Sequence, residues 1–244
     1  AAIEPRDSPV TSRTAENLFW IGRYTERAEN MARLARIALE VFHGDDEPAL
    51  ATQMWLGQMA VFSGLVDRTA PTPTASIDGF EQALIRGLAY RSGVHSVGHA
   101  LRALRQAGAA LREQLSSEHW GLIKRADRDF QSACQALTQA APLPVFGALG
   151  ALRELSRQLA AITGAQSDHM WRDDGWRLLS VGRQIERLIF LARALSRGFY
   201  TNAVHDAAGL AVVLRLFDAS VSFHARYQRT HSIAALIEHV VLNP

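Results

Sequence analysis

Two segments of this chain repeat one another at an offset of 160 residues. Leu18-Phe19-Trp20-Ile21-Gly22-Arg23-Tyr24-Thr25-Glu26-Arg27 aligns with Leu178-Leu179-Ser180-Val181-Gly182-Arg183-Gln184-Ile185-Glu186-Arg187. Further on, Ala32-Arg33 aligns with Ala192-Arg193. The shared element is G-R-x-x-E-R followed by A-R. Amphipathic patterning fixes which helix positions are apolar, but it does not dictate a glycine and four charges at matching places. The repeat therefore predicts two related helices.

A helical wheel at about 100° per residue makes the repeat chemical. Glu16, Trp20, Arg23, Arg27 and Asn30 share a stripe that Leu34, Ala38 and Val41 continue. A stripe ending in aliphatic residues faces a core, so Glu16, Arg23, Arg27 and Asn30 are expected to point inward. Leu18, Ile21, Ala28, Ala32, Ala35 and Leu39 form a second apolar stripe, while Glu29, Arg33 and Glu40 fall on a face expected to be solvated. In the second copy Arg183 and Arg187 share a stripe with Trp176, Phe190, Leu191 and Ala194. Val181, Ile185, Leu188, Ala192 and Leu195 make the other stripe, which predicts burial on two sides again. Gly22 and Gly182 each cost about 1 kcal/mol in a helix interior. A close helix approach, or room beside the arginines, would offset that.

An inward arginine needs a partner, because an uncompensated buried charge is costly. Within each motif Glu26 lies at i+3 from Arg23 and Glu186 at i+3 from Arg183, which is within reach on a helix surface. The two motifs still hold four arginines against two glutamates. Glu16 supplies one further acid. An anion from elsewhere is an attractive partner for the remainder, since guanidinium forks take carboxylate and phosphate in bidentate geometry. A structural ion network that fixes the register of two central helices accounts for the same residues.

The rest of the chain reads as an all-α bundle of about eight helices. Hydrophobic residues make up 48% of its 244 residues, with 8 Pro and 17 Gly, a globular composition. Residues 1–11 hold two prolines and no periodicity, as in a linker or frayed terminus. The all-α domain then spans 12–244. Ser12 is read as an N-cap of a helix reaching Phe42. The segment 69–76 is the clearest loop, and helices are expected near 48–66, 77–90, 94–115, from a cap at Ser116 or Ser117 to about Ala140, and near 147–162, 174–198, 206–227 and 231–242. Cys134 is the single cysteine, so no internal disulfide forms, as suits a reducing cytoplasm. No signal-peptide pattern opens the chain, and no apolar run reaches membrane-span length. Net charge is +2, and the arginines alternate with acids rather than forming a basic stripe with aromatics, which argues against nucleic-acid binding.

The stretch Ser12-Arg13-Thr14-Ala15-Glu16-Asn17-Leu18-Phe19-Trp20-Ile21-Gly22-Arg23-Tyr24-Thr25-Glu26-Arg27-Ala28-Glu29-Asn30 resembles the opening motif of the bacterial alpha-E domain family. Gly175-Trp176 followed by Gly182 to Arg187 resembles the family's second motif. In the middle, where relatives read A-R-E-N-A-R, this chain has Ala103 to Ala110, and only Arg105 matches. Ser116 or Ser117, Glu118 and Trp120 fit a following S-x-E-x-W pattern, with Gly121 where an acid usually stands. The resemblance implies an all-helical domain of unassigned biochemistry, part of a longer chain, found beside or fused to circularly permuted ATP-grasp ligases and near transglutaminase-like proteins. It implies a ligase domain as partner, a transglutaminase-like protein as another, and peptide or amide-bond chemistry.

Three functions follow as expectations. The first is an accessory or binding domain for such a ligase, with Glu16, Arg23, Arg27, Asn30, Arg183 and Arg187 holding an anionic group. The second is an acyl- or amide-transfer enzyme with Glu26 or Glu186 as general base. The third is a purely structural interaction module. No cofactor and no metal are expected. His95 and His99 have ligand-like i, i+4 spacing but no third ligand, and read as helix surface. Glu40-Val41-Phe42-His43 is a lone E-x-x-H. Cys134 reads as a buried, inert thiol, and Trp55, Trp120, Trp171, Trp176 and Tyr227 as core anchors. The cluster from Phe223 to Arg229 offers Arg226 or Arg229 to the central site, or lies on the surface.

Overall fold

A computed structural model describes residues 11–89, 95–168, 170–228 and 232–242. Ten α-helices are present among them: α1 (Ser12–Phe42), α2 (Leu50–Phe62), α3 (Ile77–Leu88), α4 (Val97–Ala109), α5 (Ser117–Thr138), α6 (Val145–Asp168), α7 (Asp174–Tyr200), α8 (Ala207–Leu216), α9 (Ser220–Tyr227) and α10 (Ile233–Ile237). A 3-10 turn at Ala203–His205 precedes α8, and a π-helical turn at Glu238–Leu242 follows α10. No strand occurs among the described residues. Apart from Thr11, the expected linker lies outside them.

The helix starts follow side-chain chemistry. Thr11, not Ser12, caps α1: its hydroxyl oxygen accepts from the Thr14 amide at 3.3 Å. Ser76, Ser96, Ser116, Asp173, Asp206 and Ser232 cap later helices in the same way, each satisfying an orphan amide of the first turn. Several boundaries differ from expectation: α4 stops at Ala109 rather than near 115, and α2 at Phe62 rather than near 66. The 206–227 segment is two helices, because Asp218 turns the chain at φ 55°. In the other direction, α6 runs on to Asp168 because Gln166 has a structural task at its end.

The chain is organised around α1. Ile21, Ala28, Ala32, Leu34, Ala35, Ala38 and Leu39 are all fully buried there. With α4, α6 and α7 packed round it, α1 has almost no open face, and its run of buried alanines lets those helices approach closely. α5 closes the far side against α4 and α6 through Ile123, Phe130 and Leu137. Trp55 of α2 is fully buried, and its indole donates to the Ala194 carbonyl of α7 at 3.0 Å. Gln166 links three helices. Its side-chain amide donates to Thr25 of α1 at 3.0 Å, and its backbone carbonyl accepts from Trp176 of α7 at 3.1 Å.

Several expectations about burial are corrected. Glu40 and Arg33 are not solvated. Glu40 gathers Arg36 at 3.2 Å, Arg153 of α6 at 3.3 Å and Arg215 of α8 at 2.5 Å. Arg33 pairs with Glu29 at 2.9 Å and donates to the Leu216 carbonyl at 3.2 Å. The second repeat helix is buried on one side only. Val181, Ile185 and Leu188 are exposed at 49%, 37% and 63%, because nothing among the described residues packs on that face of α7. Trp171 is 87% exposed, so it is no core anchor. Cys134 is buried, and burial pushes its thiol up to about 12, leaving it inert at neutral pH.

Candidate functional site

α1 and α7 run in the same direction, matched position for position through the repeat. Gly22 lies against the backbone of Leu179, and Gly182 lies against the backbone of Phe19, its counterpart one repeat away. A Cβ on either glycine would overlap the facing carbonyl oxygen. The two glycines therefore set the contact distance, and the helices are related by an approximate two-fold axis between them. Of the two sequence explanations for these glycines, close approach holds.

The glutamate follows its glycine by one helical turn, so it points across the contact rather than along its own helix. Glu186 accepts from Arg27 Nε at 2.8 Å and Nη2 at 2.9 Å, and from Arg23 Nε at 2.6 Å. The mirror arrangement has Glu26 accepting from Arg187 Nε at 2.9 Å and Nη2 at 3.3 Å, with Arg183 Nη2 at 3.4 Å. The i+3 pairing expected within each motif is thus replaced by a crossed one, in which each glutamate takes both arginines of the other motif. Burial alone would raise the Glu186 carboxyl, but Arg27 and Arg23 outweigh it and hold the group below the usual carboxylate range. Burial would likewise lower Arg187, but Glu26 outweighs it and raises the guanidinium.

The other expected site residues divide. Asn30 is buried beside the crossing, and its Nδ2 has no hydrogen-bond partner. Glu16 is exposed and makes no ion pair among the described residues. It therefore does not offset the arginines as expected. Arg105 pairs with Asp127 at 2.7 Å and joins α4 to α5, away from the motifs. Arg226 pairs with Glu238 at 2.9 Å, and Arg229 lies outside the described residues.

Beyond the glutamates the helices open around Asn30 and its counterpart Phe190, leaving a cavity on each side of the axis. One, of about 330 Å³, is lined by Arg27, Asn30, His95, Glu186, Phe190 and Arg193 among others. The second, of about 550 Å³, is lined by Glu26, Asn30, Arg33, Arg187, Phe190 and His239 among others. Arg33 and Arg193 are the A-R arginines of the repeat, and each sits at the mouth of one cavity. Sequence reasoning missed both as site residues, although the repeat itself carried the signal. His95 also belongs here, in the segment before α4 and not on a helix surface, with its ring 5.4 Å from that of His99.

Electrostatically the two sides differ. Arg33 has Glu29, one turn earlier. The counterpart of Glu29 is Ile189, and Arg193 makes no ion pair or hydrogen bond among the described residues. Its guanidinium instead stacks 3.8 Å over the Phe62 ring. Burial first, then the charges of Arg27 and Arg23, hold Arg193 below its usual value against the pull of Glu186. His99 nearby is lowered by burial, by His95 and by Arg27. No cluster of three or more metal-ligating side chains occurs among the described residues, and none of their helices is long and apolar enough to cross a membrane.

A family model described as a predicted alpha-helical domain with a conserved ER motif matches residues 10–244. Here the E-R pair occurs at Glu26-Arg27 and again at Glu186-Arg187, at the heart of the crossed network. Uncharacterized proteins of Mycobacterium bovis and of two strains of Mycobacterium tuberculosis are each 26% identical over 240 residues, covering 93% of this chain. The chain spans 27% of the length of these curated relatives. No solved structure matches it.

Proposed function

The chain belongs to the Alpha-E family, and from that premise we propose that it is a helical accessory domain that works with an ATP-grasp-type peptide or amide ligase in the cytoplasm. Its arginine-lined crossing holds an anionic group of a substrate, product or peptide. The supporting observation is the surplus of guanidinium around the crossing. Four motif arginines and Arg193 surround two glutamates, and Glu16 does not help. Every oxygen of both glutamates is already engaged, while Asn30 Nδ2 is not. The curated relatives carry most of their length outside the matched region, which leaves room for a ligase domain in the same chain. A transglutaminase-like protein is a further partner in this reading.

A general-base role for Glu26 or Glu186 draws less support. A base needs a free lone pair and a pKa near the working pH, and Glu186 is held low between two guanidiniums. The purely structural reading draws on the same crossed network, and partner binding separates it from the accessory role. The test is co-purification of this chain with the ATP-grasp-type ligase domain, with and without ATP. Retention in one of those states at stoichiometric yield is expected. No retention in either state overturns the ligase partnership.

A further inference from the structure

The two cavities beside the crossing are built from matching repeat positions, so their differences locate where a ligand goes. On the larger side Glu29 neutralises Arg33, and Glu26 neutralises Arg187. On the smaller side Glu186 likewise neutralises Arg27, but Ile189 stands in place of the second acid, so Arg193 carries no ion pair among the described residues, and Arg27 Nη1 makes no hydrogen bond among them. Asn30, 6% exposed, lines both cavities and has an unused amide donor, so it is the Arg193 charge that favours the smaller one. A desolvated donor left unpaired costs about 1–3 kcal/mol, so an acceptor at this place would be strongly favoured. Inorganic ions alone would waste the remaining wall. Met31, Phe62, Ile189 and Phe190 line it with apolar surface. At about 330 Å³ the cavity is at the lower end of the range for small-molecule sites.

Resting on the anion-holding reading above, we propose that the smaller cavity binds a small organic oxyanion. Its carboxylate or phosphate head is taken by Arg27, Arg193 and Asn30, and its apolar body lies against Phe62 and Phe190. His95 stands at the same cavity and adds a ring donor or acceptor at the head. The larger cavity has its guanidiniums internally neutralised and is not the site.

The test is calorimetric titration at low ionic strength with 3-phenylpropionate, phenyl phosphate, inorganic phosphate and the neutral 3-phenylpropionamide. At least one of the two organic oxyanions should bind the wild type, and the tighter of them identifies the head group. Inorganic phosphate and the amide should bind at least about tenfold more weakly, the loss expected when one charge-assisted contact or the apolar body is missing. Arg193→Gln should weaken binding about tenfold or more. Arg193 is exposed and carries no ion pair, so this variant loses only its stacking on Phe62 and should stay folded, melting within about a few degrees of the wild type. Ile189→Glu restores the acid found on the other side and should have the same effect without removing a donor. Arg177→Gln, on a remote exposed pair, should bind like the wild type. Failure of both organic oxyanions to bind, binding unchanged in Arg193→Gln and Ile189→Glu, or equal binding of acid and amide would overturn the proposal. None of these results bears on the ligase co-purification, so the two readings fail separately.

Discussion

Arg27 of α1 and Glu186 of α7 meet fork to fork, with Nε 2.8 Å from Oε1 and Nη2 2.9 Å from Oε2. Arg187 and Glu26 repeat the same contact on the other side of the axis. A duplicated sequence has here become a self-complementary joint. The glycines bring the helices into backbone contact, and each glutamate then reaches the arginines of the other copy. Because the joint is made wholly from the repeat, each of its parts makes a separate prediction.

The glycines come first. Gly22→Ala places a methyl group on the Leu179 carbonyl and must separate the helices, so a destabilisation of about 1–3 kcal/mol is expected. Gly121→Ala, in α5 with nothing within 4 Å of the new methyl, should gain about 0.5–1 kcal/mol from helix propensity. Urea unfolding of both variants checks this. A gain for Gly22→Ala would show that the helices are not held together at that point.

Removing an arginine from the joint strands a carboxylate that is 10% exposed. Arg23→Ala should cost about 2 kcal/mol or more. That is below the figure for a fully buried pair, because Arg23 is itself 17% exposed and Arg27 still holds Glu186. Arg177→Ala breaks a pair whose members are 71% and 78% exposed, and should cost under about 0.5 kcal/mol. Arg33→Ala should fall between them, near about 1 kcal/mol, since it loses Glu29 and the Leu216 carbonyl at the protein's edge. Equal shifts for all three in thermal melts would contradict the joint.

Much of this was legible in the sequence, and the limits have physical causes. Helical periodicity and capping residues located α1 and α7 within a residue or two at most ends, and the repeat identified them as partners. The glycine argument correctly anticipated a close approach. Pairing went wrong because i+3 spacing was the only distance available in one dimension, whereas Glu26 lies nearer to α7 than to its own arginines' head groups. Glu16 and Arg33 were misplaced for a related reason. A helical wheel gives the direction of a side chain but not where along the helix its neighbours end. No described residue covers Glu16, although Leu18 two positions on is buried, and α8 comes close at Arg33. The exposed stripe of Val181, Ile185 and Leu188 was read as buried because apolar spacing alone does not say whether a second helix arrives.

Two buried carboxyls should give opposite pH responses. Burial raises Glu81, aided by Asp78 and opposed by His43. The folded state then holds the Glu81 proton more tightly than the unfolded chain does. Its contribution is present below the ordinary value of 4.5 and is lost as pH rises through the raised value. Glu81→Gln should therefore melt higher than the wild type at pH 7, with the difference shrinking as pH falls below the carboxylate range. Glu186 is lowered, so its contribution is present above 4.5 and is lost as pH falls through the lowered value. Glu186→Gln should melt lower at pH 7, with its deficit shrinking in acid. The pH dependence of the melting temperature in both variants checks the two signs, and slopes of the same sign would contradict them.

The claim that the repeat acts across the two helices is tested most directly by a pair of double-mutant cycles. One cycle couples Arg27 with Glu186, and the other couples Arg23 with Glu26, all by alanine substitution and urea unfolding. The crossed pair should show a coupling of about 1–3 kcal/mol, and the pair within one helix no more than about 0.5 kcal/mol. The reverse order, with strong coupling inside α1 and none between α1 and α7, would contradict the crossed joint and with it the placement of the anion site.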